Sequence, residues 1–187
     1  MRDGTKLATD IYYSPLIGKN PAPVILVRTP YGKDNWADDL YLTLYAPQGY
    51  HVVIQDFRGC YDSEGDENFL LFTKAYTDGV DTIKWILDQD WCNGKIGSAG
   101  ASALAINQYF YAGMKDVYDG DDGLRAQSLW FGCPDLYLDA IMEGTYHESS
   151  VETWVKSTAS INWRYQIDTI FKLINNHDKN SILYNST

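Results

Sequence analysis

Two apolar runs constrain the fold more than anything else in the chain. Val24–Val27 in "NPAPVILVRTPYG" and the run inside "GYHVVIQDFRG", ending at Asp56, are short and nearly continuous, with turn signals on either side. A strand with one wet face alternates apolar and polar residues, whereas a strand covered on both faces does not. Between them, residues 36–47, "WADDLYLTLYAP", read as a helix stopping at Pro47. After them, "DGVDTIKWILDQDW" is an amphipathic helix, with Val80, Ile83, Trp85, Ile86 and Leu87 set against Asp81, Lys84 and Asp88. "GKIGSAG" gives a third core strand, and the segment after Ser102 is helical to about Met114. "VYDGDDG" reads as a loop, and "LRAQSLWFGCPD" as a fourth strand ending near Phe131. Ahead of all of these, "KLATDIYYS" is a further strand following the Asp3–Gly4 turn. Strands alternating with helices from residue 24 to 131 predict an α/β fold, a mostly parallel sheet flanked by helices on both faces.

The character changes after Asp135. "LYLDAIMEG" and "SSVETWVKSTASINWRYQIDTIFKLINN" read as helices with no strand between them, and Ile167, Ile170, Phe171 and Ile174 fall on one helical face. The expected division is a sheet-bearing core over 1–135 and the beginning of a helical cap over 136–187. Two ordinary packing helices would have the same spacing. A sheet of about four parallel strands followed by a part of a helical insert predicts a fragment, with the sheet incomplete at its C-terminal end.

Charge and composition exclude several functions. The net charge is −10 and no Lys/Arg cluster stands out, so no nucleic acid and no anionic membrane surface is expected as a partner. No apolar run is long enough to span a membrane, and no signal peptide opens the chain at Met1. Cys60, Cys92 and Cys133 are far apart, and His51, His147 and His177 lack ligand spacing, so neither a disulfide framework nor a metal site is suggested.

The chemistry concentrates in "NGKIGSAGASALAINQY", a strand, a glycine turn and a helix with Ser102 at the turn. A serine hydroxyl needs a base to take its proton and donors to hold the oxyanion that forms. A tight strand-to-helix elbow supplies the exposure, and its neighbours must be small because the two backbones approach closely. Gly97, Ala99, Gly100, Ala101, Ala103 and Ala105 are small, and the Ala103 N–H would face the oxyanion. Serine is also a preferred helix N-cap, which is the structural alternative. A nucleotide-binding G-x-G-x-x-G and a Walker loop are both absent.

Several blocks resemble the α/β-hydrolase family of Xaa-Pro dipeptidyl peptidases, cocaine-esterase-like enzymes and bacterial β-lactam acylases. They are "MRDGTKLATDIY", "PVILVRTPYGK", "GYHVVIQDFRGCYDSEGD", "DGVDTIKWILDQDWCNGKIG" and "GASALAINQY", in the family's order over roughly residues 1–110. The resemblance implies an α/β-hydrolase fold, no cofactor, and a small-molecule or peptide ester or amide as substrate. The family's elbow reads Gly-x-Ser-Tyr-x-Gly, so Leu104 stands where bulk is normal, while Ala103 replaces Tyr and Ala105 replaces Gly. Resemblance also assigns Tyr31, in "RTPY", as a second oxyanion donor through its hydroxyl. Arg28, Asp56, Arg58, Asp62 and Glu64 lie in the shared blocks and are expected to form ion pairs that fix loops at the strand ends.

The family order Ser, Asp, His places the acid and base beyond the cap, past Thr187. Within the chain, Asp135 with His147 or His177 is the competing set, and it lacks a strand to bring either histidine to Ser102. His51 begins a buried strand and reads as a core or edge residue. The expectation is therefore a serine hydrolase acting through an acyl-enzyme, with Ser102 as nucleophile and the 187-residue chain inactive alone. The alternative is a hydrolase-fold protein that binds a ligand without catalysis, which the two alanines favour.

Overall fold

The computed structural model describes residues 1–34, 36–65, 72, 74–135, 141–142 and 145–146. The chain divides into two compact units, Met1–Asp135 and Leu136–Thr187. In the first, a short strand β1 (Thr9–Tyr12) precedes β2 (Ala22–Thr29), helix α1 (Trp36–Tyr45) and β3 (His51–Asp56). Helix α2 (Ala75–Leu87) leads to β4 (Cys92–Ala101) and helix α3 (Ala103–Ala112). A two-residue β5 (Tyr118–Asp119) then turns into β6 (Asp122–Trp130).

The sheet runs in the order β1-β3-β2-β4-β6-β5. Strands β3, β2, β4 and β6 are parallel neighbours, while β1 and β5 pair antiparallel at the two edges. The segment read as a loop at "VYDGDDG" is thus a tight hairpin, with Tyr118 opposite Gly123 and Asp119 opposite Asp122.

The apolar runs are explained by cover on both faces. Val24, Leu26 and Val53 point to one side, where Val80, Ile83 and Ile86 of α2 and Tyr111 of α3 meet them. Ile25, Val27, Val52 and Ile54 point to the other, against Tyr41 of α1, Ala99 and Leu104. Successive strand residues face opposite ways, so two helical layers require every position in the run to be apolar. Fully burying one such aliphatic side chain stabilises the fold by about 1.5–3 kcal/mol. One residue departs from the expected face of α2: Trp85 is 38% exposed, with its ring edge-on to Trp91 at 6.1 Å, while Asp78 is buried. At 3.6 residues per turn, position 85 lies about 130° round from the midpoint of 83 and 86, off the buried stripe.

The buried polar residues of the shared blocks hold the loops in place. Arg58 is gripped by Asp78 through two bonds, Nε to Oδ2 at 2.9 Å and Nη2 to Oδ1 at 2.6 Å, and it also meets Asp3 at 2.8 Å. The bond from Arg58 holds the Asp3 carboxyl well below its usual range, and those acids raise the guanidinium in turn. Asp62 pairs with Lys33 at 3.2 Å, and Glu64 accepts the Lys6 N–H at 3.0 Å. Arg28 and Asp56, like Glu64, are held by other bonds than the expected ion pairs. Arg28 is 2% exposed and bonds to Gln55 Oε1 at 2.8 Å and the Ala75 carbonyl at 3.2 Å, over the face of Phe57. Asp56 accepts backbone amides, at 2.6 Å from Lys33 and 3.4 Å from Asp62. Both sit between β-strand ends, where neutral partners satisfy them directly.

In the second unit the described residues form a two-stranded antiparallel ladder, β7 (Ile141–Met142) with β8 (Thr145–Tyr146). At Ile141–Met142 this corrects the helix expected over "LYLDAIMEG", the rest of which lies outside the described residues. The β-branched Ile141 favours a strand over a helix interior. The helical cap expected for the remainder of 136–187 lies outside the described residues.

Candidate active site

Ser102 occupies a backbone conformation that serine rarely adopts. Its φ is 55° and its ψ −122°, between the last residue of β4 and the first of α3. This departs from an ordinary helix cap: Ser102 is exposed, and its side chain makes no capping hydrogen bond. Holding a non-glycine residue there costs about 1–3 kcal/mol, and such strain persists only where surrounding contacts over-determine it.

Those contacts are visible on both sides of the turn. The Ser102 N–H donates to the Trp130 carbonyl of β6 at 2.8 Å. The Ala101 N–H donates to the Tyr41 hydroxyl at 3.1 Å, from a side chain of α1 that is 3% exposed. The Ser102 carbonyl accepts both the Ala105 and Ile106 N–H groups at 2.9 Å, which starts the helix. The Ala103 N–H, at the first helical position, has no acceptor among the described residues, as the first amides of any helix lack one. It stands beside an exposed hydroxyl at the positive end of α3.

The small residues have specific neighbours. A Cβ on Gly100 would come within 2.7 Å of the Leu104 carbonyl group, so only glycine fits where α3 folds back over β4. Ala105, where the resembled family has glycine, is fully buried, and the residue facing its methyl is Gly132. A Cβ on Gly132 would lie 2.7 Å from the Ala105 Cβ. The Ala105 methyl therefore fills the space that a side chain at 132 would need.

Tyr31 follows the end of β2, and β2 is the parallel neighbour of β4 with Leu26 level with Ser98. Three residues further along each strand are Thr29 and Ala101, their last members. Tyr31 and Ser102 therefore lie at the same end of the sheet on adjacent strands. Tyr31 packs partly buried against the cluster that contains Ala99 and Leu104. It also lines a cleft of ≈ 320 Å³ with Gly32, Lys33, Asp34, Asp56, Tyr61 and Asp62. Burial pushes the Asp56 carboxyl up to about 6, against the opposing pull of the Lys33 and Asp62 amides. The chain order also reverses here: β3 lies on one side of β2 and β4 on the other. Crevices at such reversals, beyond the carboxyl ends of the strands, are where open α/β sheets bind ligands.

His51 is the one histidine among the described residues, and it lies at the opposite end of the sheet. It starts β3, is fully buried, and accepts the Ser14 N–H at Nδ1 (3.0 Å), so Nε2 carries the proton that meets the Asn20 carbonyl at 2.9 Å. Both ring nitrogens serve packing. His147 and His177 lie outside the described residues, so the competing set with Asp135 is not assembled among them. Tyr41 and Gly132 are the site residues that sequence reasoning missed. Both act through contacts between elements, and neither lies in a recognisable motif.

Sequence comparison matches residues 3–170 to the family described as X-Pro dipeptidyl-peptidase (S15 family). Over 147 residues the chain is 38% identical to the cocaine esterase of Rhodococcus sp. (strain MB1 Bresler), a match covering 73% of this chain and 23% of that protein. Its fold resembles a CocE/NonD family hydrolase from Staphylococcus aureus, at TM-score 0.64 and 27% identity over 76% of this chain and 28% of the other. It also resembles an aminopeptidase from a marine sediment Thaumarchaeota archaeon, at TM-score 0.53 and 26% identity over 68% of this chain and 23% of the other. The chain thus spans about a quarter of the length of the relatives it matches.

Proposed function

The chain belongs to the X-Pro dipeptidyl-peptidase (S15) family, and from that premise we propose that it carries the nucleophile of a serine hydrolase that cleaves an ester or amide through an acyl-enzyme. The observation that carries this reading is Ser102: exposed, uncapped, and held at φ 55° by bonds from two neighbouring elements.

In this reading Ser102 Oγ attacks the substrate carbonyl carbon while a base takes its proton. The carbonyl oxygen becomes an oxyanion that accepts bonds from the Ala103 N–H and the Tyr31 hydroxyl. The protonated base then gives its proton to the leaving alcohol or amine as the acyl–leaving-group bond breaks. Water repeats the sequence on the acyl-enzyme, releasing the acid and restoring Ser102. The base cannot be His51, given its place and its two occupied nitrogens. It comes, with its acid, from polypeptide outside the described residues. The relatives' names, an esterase and an aminopeptidase, include both bond types.

A fluorophosphonate probe on the native protein tests the reading. Covalent label on the peptide containing Ser102, lost in Ser102→Ala, is the expected result. Ester or amide turnover with no label at Ser102 would refute it, and no label with no turnover would support the non-catalytic binding protein instead. The 187-residue chain alone is expected to turn over no ester. Turnover by it that Ser102→Ala abolishes would return the base to His147 or His177.

A further inference from the structure

A second strained residue stands next to the first. Phe131 has φ 54°, within a degree of Ser102, and follows Trp130, the residue whose carbonyl holds the Ser102 N–H. Ala101 and Trp130 are register partners on parallel strands, so Ser102 and Phe131 are the next residues on each. Adjacent strands lie about 4.8 Å apart, a distance that an arylacetyl group can span and an acetyl group cannot.

Among the described residues, no burial of the Phe131 ring offsets the cost of this arrangement. The left-handed region is rare for a bulky residue, and burial is the usual compensation for strain. Phe131 is 93% exposed, whereas no other exposed large hydrophobic residue among the described ones passes 70%. A single exposed apolar side chain is ordinary on a protein surface. Packing fixes the backbone here but does not account for a ring that is almost wholly wet and level with an exposed nucleophile. Its neighbour shows what fixes the backbone: Gly132 lies against the Ala105 methyl in the first turn of α3, so the chain must bend at 131 to clear the helix.

We propose that Phe131 is a specificity-determining residue whose ring contacts the acyl group of the substrate, selecting esters or amides with an aromatic or extended apolar acyl part. The inference rests on the serine-hydrolase reading above. The acyl group is singled out because it remains bonded to Ser102 Oγ through both halves of the reaction, within one strand spacing of position 131. The leaving group departs with the proton that the base returns.

The test compares two p-nitrophenyl esters, acetate and phenylacetate, on the native protein and on Phe131→Ala. Covering about half of a ring is sufficient to favour the larger acyl group by about tenfold in kcat/KM. The native protein should show that preference, Phe131→Ala should lose it through a much larger fall in the phenylacetate rate than in the acetate rate, and Phe131→Leu should retain most of it. A structural role predicts equal loss for both esters, and that result overturns the proposal. So does a change that follows the alcohol rather than the acyl part in a matched series of acetates. Fluorophosphonate label at Ser102 with an unchanged ester ratio overturns this inference alone, whereas absence of label removes the hydrolase reading and this inference with it.

Discussion

Replacing Gly132 with alanine should destabilise the protein and disable the elbow together. The added Cβ would sit 2.7 Å from the Ala105 Cβ and 3.4 Å from Tyr109 Cε2. Ordinary carbon–carbon contact is about 3.5–4.0 Å, so the overlap with Ala105 is on the order of 1 Å. A methyl on Cβ cannot rotate out of the way, so the α3 backbone must move. Such overpacking costs about 1–3 kcal/mol. Gly132 is not in the left-handed region, so alanine brings no backbone strain of its own to confuse the result. Ala105 lies three residues after Ser102, and its N–H is one of two that the Ser102 carbonyl accepts. The displacement therefore reaches the nucleophile. Urea unfolding should show the loss of stability, and the rate of fluorophosphonate labelling should fall at least tenfold. Ala105→Gly alone should cost about 1 kcal/mol from helix propensity. The double variant moves one methyl across the contact. It should be more stable than Gly132→Ala, with a coupling of about 1–2 kcal/mol in the double-mutant cycle. Additive effects in that cycle would refute the claim that 105 and 132 share a single methyl's worth of space.

Three further outcomes follow from the same geometry. Tyr41→Phe keeps the ring and deletes the acceptor of the Ala101 N–H, so amide exchange at Ala101 should accelerate by tenfold or more, labelling of Ser102 should slow, and stability should fall by about 1–2 kcal/mol; unchanged exchange at Ala101 would show that the bond does not hold the elbow. Arg58→Met leaves the Asp78 carboxylate, 2% exposed, without its partner, and should cost about 3–5 kcal/mol in urea unfolding, most of it recovered when Asp78→Leu is added. Asp56 has a folded pKa of about 6, above its unfolded value of 3.8, so the folded state binds its proton more tightly. Its contribution is full below about pH 4 and is lost as pH rises towards 6, on the order of 1–2 kcal/mol, and the stability profile of Asp56→Asn should lack that decline.

The sequence makes one part of this fold easy to read. Val24–Val27 and His51–Asp56 are buried on both faces, and two-sided burial leaves a continuous apolar run that no solvent-facing strand shows. Trp85 was harder, because an aromatic beside Ile83 and Ile86 counts toward the stripe whether its ring turns in or out. At the site, Ser102 and its small neighbours were legible because an elbow limits side-chain size locally. Ala105 looked like a defect, since its compensation lies 27 residues later at Gly132, in no motif and on another strand's exit. Tyr41 was invisible for a related reason: a tyrosine within a helix carries no sign that its hydroxyl will meet the Ala101 amide across the sheet. Ile141–Met142 misled because a short apolar pair fits helix and strand equally well until its partner, Thr145–Tyr146, is placed.

The first few residues have a consequence for the order in which the chain assembles. Residues 1–5 belong to no strand or helix, and what holds them lies far ahead in sequence. Arg2 reaches Asp81, 79 positions on, and Asp3 reaches Arg58, 55 positions on. On a ribosome, which releases residues in order, Arg2 lacks its Asp81 partner until α2 has emerged. The arm is made before α2 and its docking is completed only after it, joining α2 and the loop after β3 in a single clasp. Protection of residues 1–5 from protease would therefore report, in one measurement, that the sheet and α2 have already come together.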